Sequence, residues 1–402
     1  SSPRERHVVD GLTIEFQLTP GAEAPAEMNL FFPELRALNL AENACQTMHN
    51  LCPLRGARTR DALAWSRYLD DALHAYVPHA DVVLAQHHWP VWGAARVAEY
   101  VAGQRDLYRY LHDQTLRLMS QGRTPAEIGE ELMLPSTLSR QWFARGYYGA
   151  VAHNVAAIYA HYLGPYDGHA AQLNPQPPVA AAARYVRYMG GADRVLEEAA
   201  ADYERGDFRW VVEVLKHVVF AEPGHRAARE LCADAMEQLG FQAESATWRN
   251  SYLQAARELR SRGAPAVPAG IAISPDVVAQ LPLSKFLEFL AIRVNGPRAQ
   301  ELQARFDWLL PGGPGGAAVE EECQRVTLVN GALNHRAGSH GSAADAVIRT
   351  PRAQLARLLQ GPEEMLRCLD AGEIDISGDK ALLRRLVLAL DAFDPMFNIV
   401  EP

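Results

Sequence analysis

At 402 residues, 48% hydrophobic and 22% charged, the chain has an ordinary globular composition and the length for two or three domains. A formal charge of −9 and a pI of about 5.9 argue against nucleic acid or an anionic membrane as the main partner. No apolar run approaches the roughly 18 residues that span a bilayer, and no basic-then-apolar leader opens the chain, so the location stays open between export and cytoplasm. The five cysteines are scattered and no CxxC occurs, which suggests neither a disulfide framework nor a thiolate zinc site and reads as buried or idle thiols.

In chain order, Leu12, Ile14, Phe16 and Leu18 alternate with polar residues as a half-buried strand, stopped by Thr19-Pro20-Gly21. Met28 to Phe32 and Arg36 to Leu40 read as two strands joined by a tight hairpin at Pro33-Glu34. Glu23 then falls in the loop after the first strand and Glu42 just after the third. Leu63, Leu69, Leu73 and Tyr76 recur at helical spacing within Thr59 to Tyr76. Asp81 to Ala85 is a short strand that runs into His87-His88, and Ala94 to Ser120 is a long helix ending at Gly122. Strands alternating with helices imply a layered α/β arrangement. Carboxylates, histidines and arginines recur at the ends of these apolar runs, where a rigid scaffold positions polar loops, so a metal-and-anion site is expected here. Arg55 has the planar fork that grips a tetrahedral oxyanion.

Thr124-Pro125-Ala126-Glu127 carries a capping box with proline in the first turn. Asn174 to Val179 is Pro-rich and marks a crossing. From Ala180 the pattern is helical pairs. Ala199 to Phe208 resembles the turn of a tetratricopeptide (TPR) unit, closed near Ala221 to His225, with further helices at Leu231 to Leu239 and Ala246 to Leu259. So few units cannot bury their own faces, which calls for a neighbouring domain or a second subunit. Gly263 to Pro275 reads as a linker. Beyond it come a helix over Leu283 to Val294, another beginning within Ala299 to Phe306, a strand over Cys323 to Leu328, a hairpin turn at Asn330-Gly331 and a strand continuing through Ala332 to Arg336. A strand over Asp345 to Arg349 and helices over Arg352 to Leu359 and Leu383 to Leu390 follow. His335 and His340 have no acid at ligand spacing and read as surface loop residues.

The order Thr19-Pro20-Gly21-Ala22-Glu23-Ala24-Pro25-Ala26-Glu27, Ala41-Glu42-Asn43, His49-Asn50, Leu54-Arg55-Gly56-Ala57, Arg60-Asp61-Ala62 and His87-His88-Trp89-Pro90-Val91-Trp92-Gly93 resembles the metallo-β-lactamase-fold alkylsulfatases, zinc hydrolases that cleave alkyl sulfate esters. Arg145 to Asn154, Gly164 to His169 and the stretch from Ala392 to Val400 carry the resemblance on through nearly the whole chain. It implies an α/β, then α, then α+β organisation. Residues 1–121 would be part of a metallo-β-lactamase αββα domain, 122–262 a helical TPR-like homodimerisation domain, 263–275 the linker, and 276–402 a domain like sterol carrier protein 2 (SCP2), with helices on an antiparallel sheet and an apolar tunnel for an alkyl tail. It implies Glu23, Glu42 and His87 as zinc ligands, with His88 as the alternative to His87. It makes Asn50 and Arg55 sulfate contacts, His153 and Tyr166 substrate contacts, and His49 the group that protonates the leaving alkoxide or orients its neighbours. Glu27 is expected to support the ligands from behind.

In one respect the chain departs from the family. No H-x-H-x-D-H occurs, the motif that supplies four zinc ligands in such enzymes, and the resemblance implies that Ser1-Ser2-Pro3-Arg4 opens in the middle of the catalytic domain. The expectation is therefore the C-terminal portion of a two-zinc alkylsulfatase, whole or split, with a separate chain supplying the missing half. The other expectation is a non-catalytic dimeric lipid- or alkyl-binding protein that has lost that half.

Overall fold

The computed structural model describes residues 5–261, 277–278, 280–311, 321–338, 344–394 and 396–402. The linker at 263–275, His340 and the opening Ser1 to Arg4 lie outside the described residues. The chain divides into two compact units, Ser1–Gly263 with Asn398–Pro402, and Ala264–Phe397. Both regions separated at residue 121 in the sequence reading fall in the first unit.

In the first unit a six-stranded sheet runs β1 (Glu5–Val9), β2 (Leu12–Leu18), β3 (Met28–Phe32), β4 (Ala37–Asn39), β5 (Val82–Leu84) and β6 (Val91–Trp92), in sequence order. β1, which the sequence pattern does not reveal, is exposed at every position and sits on the sheet edge. Asp10 and Gly11 join it to β2 with φ of 51° and 82°, the left-handed pair a two-residue hairpin needs. Every pairing is antiparallel except β4 with β5. The crossover between those two is α1 (Ala62–Ala75), which starts later than its periodicity suggests because Asp61 caps it, accepting from Ala64 N at 2.9 Å.

α2 (Ala94–Met119) packs along α1. The apolar side chains Leu38, Leu40, Met48, Trp65, Leu69, Leu107 and Tyr108 make the core beneath the sheet, with the Trp65 and Tyr108 rings stacked at 4.7 Å. α3 (Pro125–Glu131) has the expected reciprocal Thr124–Glu127 capping box. After α4 (Ser136–Ser139) and α5 (Val151–Leu163), the helices α6 (Pro178–Tyr188), α7 (Ala192–Glu204), α8 (Phe208–Ala221), α9 (Arg226–Gln242) and α10 (Ala246–Ser261) pack together, α6 chiefly on α8, around a core of Val211, Leu215, Val218, Ala228, Cys232 and Ala256. Residues 398–402 return to this core: Glu258 accepts from the Ile399 and Val400 amides, and Arg229 forms a buried ion pair with Glu401.

The second unit holds α11 (Leu283–Ala291), α12 (Gly296–Ala299), β7 (Ala304–Leu310), β8 (Glu322–Val329), β9 (Ala332–Ala337), β10 (Ala346–Arg349), α13 (Arg352–Leu358), α14 (Pro362–Asp370), β11 (Asp375–Gly378) and α15 (Lys380–Leu388). Three expectations are corrected here. The segment expected to begin a helix within Ala299 to Phe306 is not helical beyond Ala299 and runs into the central strand β7, whose run Phe306, Trp308, Leu309, Leu310 is buried; such a run fits helix and buried strand equally until its neighbours are known. The sheet, ordered β11-β10-β7-β8-β9, is mixed rather than antiparallel, because β10 pairs parallel with β7. His335 lies in β9 rather than in a loop and has an acid partner, with Nε2 3.1 Å from Glu288 Oε1. Asn330 and Gly331 form the expected turn with φ of 55° and 71°. Among the described residues no helix is long and apolar enough to cross a membrane.

Candidate metal and anion site

The segment from Leu40 to Arg55 leaves the end of β4 without regular structure and is fastened residue by residue to the helices below it. Trp65 Nε1 of α1 donates to the Asn43 carbonyl at 2.8 Å. From α2, the Tyr100 hydroxyl donates to the Ala44 carbonyl at 2.9 Å, Gln104 Nε2 donates to the Cys45 carbonyl, and the Tyr108 hydroxyl accepts from His49 N at 3.2 Å. Asn154 of α5 is bidentate: it accepts from Leu51 N at 2.9 Å and donates to the His49 carbonyl at 3.0 Å. Gly149 passes so close that a Cβ there would stand 2.6 Å from the His49 carbonyl oxygen. Below Asn43 a buried amide chain runs through Asn29 and Gln17, bonded at 2.9 and 3.0 Å, to the Tyr68 carbonyl. A loop that would otherwise expose its backbone is thereby held rigid.

Above it lies a cavity of about 620 Å³ lined by Glu23, Glu42, Cys45, Thr47, His49, Arg55, His87, His88, Tyr147 and Tyr148. Ligand atoms of Glu23, Glu42 and His49 lie within 4.8 Å of one another. Glu42 divides its carboxylate between two imidazoles: Oε2 is 2.9 Å from His49 Nε2 and Oε1 is 3.1 Å from His87 Nε2. Those contacts, the His49 hydrogen bond foremost, pull the Glu42 carboxyl down to about 2. Glu27 supports from behind, accepting from the Glu42 amide at 3.0 Å. Burial first, and then the Glu23 and Glu42 charges, push its carboxyl up to about 7. Burial pushes the Cys45 thiol up to about 12, so it is inert, and all five cysteines are unpaired.

Of the candidates for one site, the structure gathers Glu23, Glu42, His49, Arg55 and His87. Arg55 is exposed and donates to the Tyr148 hydroxyl at 2.7 Å. His88, at φ 69°, turns its ring towards Trp89 and Tyr147 instead of Glu42. Asn50 is fully buried behind the wall, with Oδ1 bonded to Arg60 and Nδ2 without an acceptor among the described residues. His153 and Tyr166 are not among the lining residues. His153 is buried on α5 with both ring nitrogens engaged, Nε2 to the Cys52 carbonyl at 2.6 Å and Nδ1 to Trp248 Nε1 at 2.9 Å, and Tyr166 lies exposed in the loop that follows α5. Sequence reading missed Tyr147 and Tyr148, although Arg145 to Asn154 carried family resemblance. It also gave no role to Arg60, although Arg60-Asp61-Ala62 carried family resemblance.

The donor set fits a dication. Three carboxylates crowd together, one raised to about 7 in part by its two neighbours, and imidazole nitrogens face the same cavity. Carboxylate and neutral imidazole are the ligands zinc takes when it is not held by thiolate.

Residues 124–262 match the alkyl sulfatase dimerisation family and residues 272–402 the alkyl sulfatase C-terminal family. The chain is 46% identical over 400 residues to a linear primary-alkylsulfatase of a Pseudomonas species, a match covering 99% of this chain and 58% of the relative. It is 44% identical over 401 residues to the alkyl/aryl-sulfatase BDS1 of Saccharomyces cerevisiae, covering 100% and 60%. Among solved structures, the stereoselective inverting sec-alkylsulfatase Pisa1 from a Pseudomonas species superposes with a TM-score of 0.87 at 42% identity, over 100% of this chain and 62% of that one. The chain belongs to the alkylsulfatase family. It spans about three fifths of the length of the relatives it matches.

Proposed function

We propose that this chain is the part of a zinc-dependent alkylsulfatase that supplies carboxylate and imidazole ligands and the sulfate-binding wall, in an enzyme that hydrolyses alkyl sulfate esters to alcohol and sulfate. The observation that carries the reading is the meeting of Glu23, Glu42, His49, His87 and Arg55 in one cavity. Glu23, Glu42 and His87 are the residues to hold metal, with two zincs in the complete site. A zinc ion bound there supplies Lewis acidity towards the sulfate oxygens and lowers the pKa of water.

The chain's own groups do the rest. Arg55, steadied by Tyr148, presents its remaining N–H groups to the sulfate oxygens. His49 orients Glu42, its Nε2 lying 2.9 Å from Oε2. Asn50 acts through Arg60 rather than on the ester. The half-exposed aromatic rim of Tyr147, Trp89 and Trp142, with the two indole rings 6.3 Å apart, offers apolar area to an alkyl chain. The sheet and helices of residues 1–121 are read as part of a metallo-β-lactamase αββα domain. Residues 122–262, with their TPR-like helix pairs, are the homodimer interface, as the dimerisation family's description suggests. The second unit is the SCP2-like alkyl-binding domain.

The test is zinc content together with sulfate release from octyl sulfate by the purified chain. About two zincs per chain and zinc-dependent release support the reading. A chain that holds no zinc and stays inactive in the presence of the rest of an alkylsulfatase catalytic domain overturns it, in favour of the dimeric alkyl-binding reading.

A further inference from the structure

Arg60 does not line the cavity, yet its guanidinium is buried, 5% exposed, among the polar groups that do. Nε donates to the Glu23 carbonyl at 2.8 Å and Nη2 to Glu23 Oε1. Nη1 donates to the Asn50 carbonyl at 2.7 Å and to Asn50 Oδ1 at 2.6 Å, and lies 3.0 Å from His49 Nδ1. The backbone is tied in as well, with Arg60 N donating to the Leu51 carbonyl at 2.8 Å and Asp61 N to the Gly21 carbonyl at 3.0 Å. One planar side chain thus joins the loop after β2, the segment after β4 and the start of α1.

The chemistry of the contacts has a direction. His49 Nδ1 lies 3.0 Å from Arg60 Nη1, which only donates, and 3.0 Å from the Asn50 carbonyl oxygen, which only accepts; a proton on both ring nitrogens would set an imidazolium against the guanidinium, so Nδ1 is the acceptor. The other nitrogen then carries the proton, and that is the nitrogen 2.9 Å from Glu42 Oε2, an oxygen that can only accept once ionised. Arg55 has no such reach: it is exposed and bonds Tyr148. Lysine could not replace Arg60, since it lacks the fork that serves Glu23 and Asn50 together.

We propose that Arg60 is a positioning residue of this site: it sets the orientation of the Glu23 carboxylate and fixes the His49 ring with Nδ1 as acceptor and Nε2–H aimed at Glu42. The proposal rests on the metal reading above and adds the group that shapes the ligands before metal or ester arrives. Partners of this kind, placed behind the groups that meet a metal, typically change its affinity about 10- to 100-fold when removed.

The test uses the whole chain, labelled with ¹⁵N at histidine, first metal-free and then titrated with zinc against a competing chelator. In the unmodified metal-free chain the His49 ring shows its proton on Nε2 and a bare Nδ1. Arg60→Lys alters that signature and weakens zinc binding about 10- to 100-fold, while Arg58→Gln, an exposed neighbour, changes neither. A His49 protonated on Nδ1 in the unmodified chain overturns the proposal with no variant needed, which covers an Arg60→Lys protein that fails to fold. A folded Arg60→Lys protein with unaltered His49 signals and zinc affinity overturns it too. If the unmodified chain takes up no zinc but the His49 signature is as expected and responds to Arg60→Lys, the positioning role is upheld and the metal reading fails.

Discussion

Glu42 and Glu27 sit one hydrogen bond apart and are driven in opposite directions. The folded chain holds Glu42 at about 2, so its contribution to stability is present above the ordinary 4.5 and is lost as pH falls through about 2. Glu27 is raised from 4.5 to about 7, so its contribution is present below 4.5 and is lost as pH rises through about 7. The metal-free protein is therefore expected to melt at lower temperature at about pH 8 than at about pH 5. Glu27→Gln keeps an acceptor for the Glu42 amide and removes the charge. It should raise Tm at about pH 8 and leave it unchanged at about pH 5, as read by calorimetry in chelator. At the same scale, Arg55→Gln removes a charge-assisted fork from the cavity wall. On the proposed reaction it should raise KM for octyl sulfate on the order of 10- to 100-fold, with a smaller effect on kcat.

Among elements, α5 holds the functional loop through Asn154. Its amide meets one donor and one acceptor of a backbone that is buried and has no ladder partner there. Asn154→Leu leaves both unsatisfied and should cost about 1–3 kcal/mol for each group in urea unfolding, with the fold retained. Gly149→Ala tests the same junction by steric means, since the added Cβ would meet the His49 carbonyl at 2.6 Å. It should destabilise the chain and weaken zinc binding together. Helices such as α2 and α3 were legible because periodicity and caps are local; Thr124 with Glu127 marks the start of α3 from four residues alone. β7 was not legible, because a buried central strand carries no alternation, and β1 was not, because none of its side chains is buried.

For the molecule as a whole, the closing residues 398–402 belong with the helices of the first unit, and the buried Arg229–Glu401 pair holds them there. Arg229→Met strands a buried carboxylate and should cost about 3–5 kcal/mol, seen as a lower urea midpoint. The homodimer proposed for residues 122–262 predicts a sedimentation mass of twice 44.3 kDa.

Much of the candidate site could be read in sequence: Glu23, Glu42, His49, Arg55 and His87 stand in motifs whose residue types already specify cation and oxyanion chemistry. Sequence by itself also determined the start of α3, the Asn330-Gly331 turn and the kinship, all of them properties of neighbouring residues. Tertiary structure alone decided between His87 and His88 as the partner of Glu42, drew Tyr147 and Tyr148 to the cavity, left His153 in helix packing, and buried Arg60 against Glu23, His49 and Asn50. Those outcomes depend on groups as far apart as Leu51 and Asn154 coming within 2.9 Å. No local propensity encodes such a distance; it follows from closing the sheet, α1, α2 and α5 around one core.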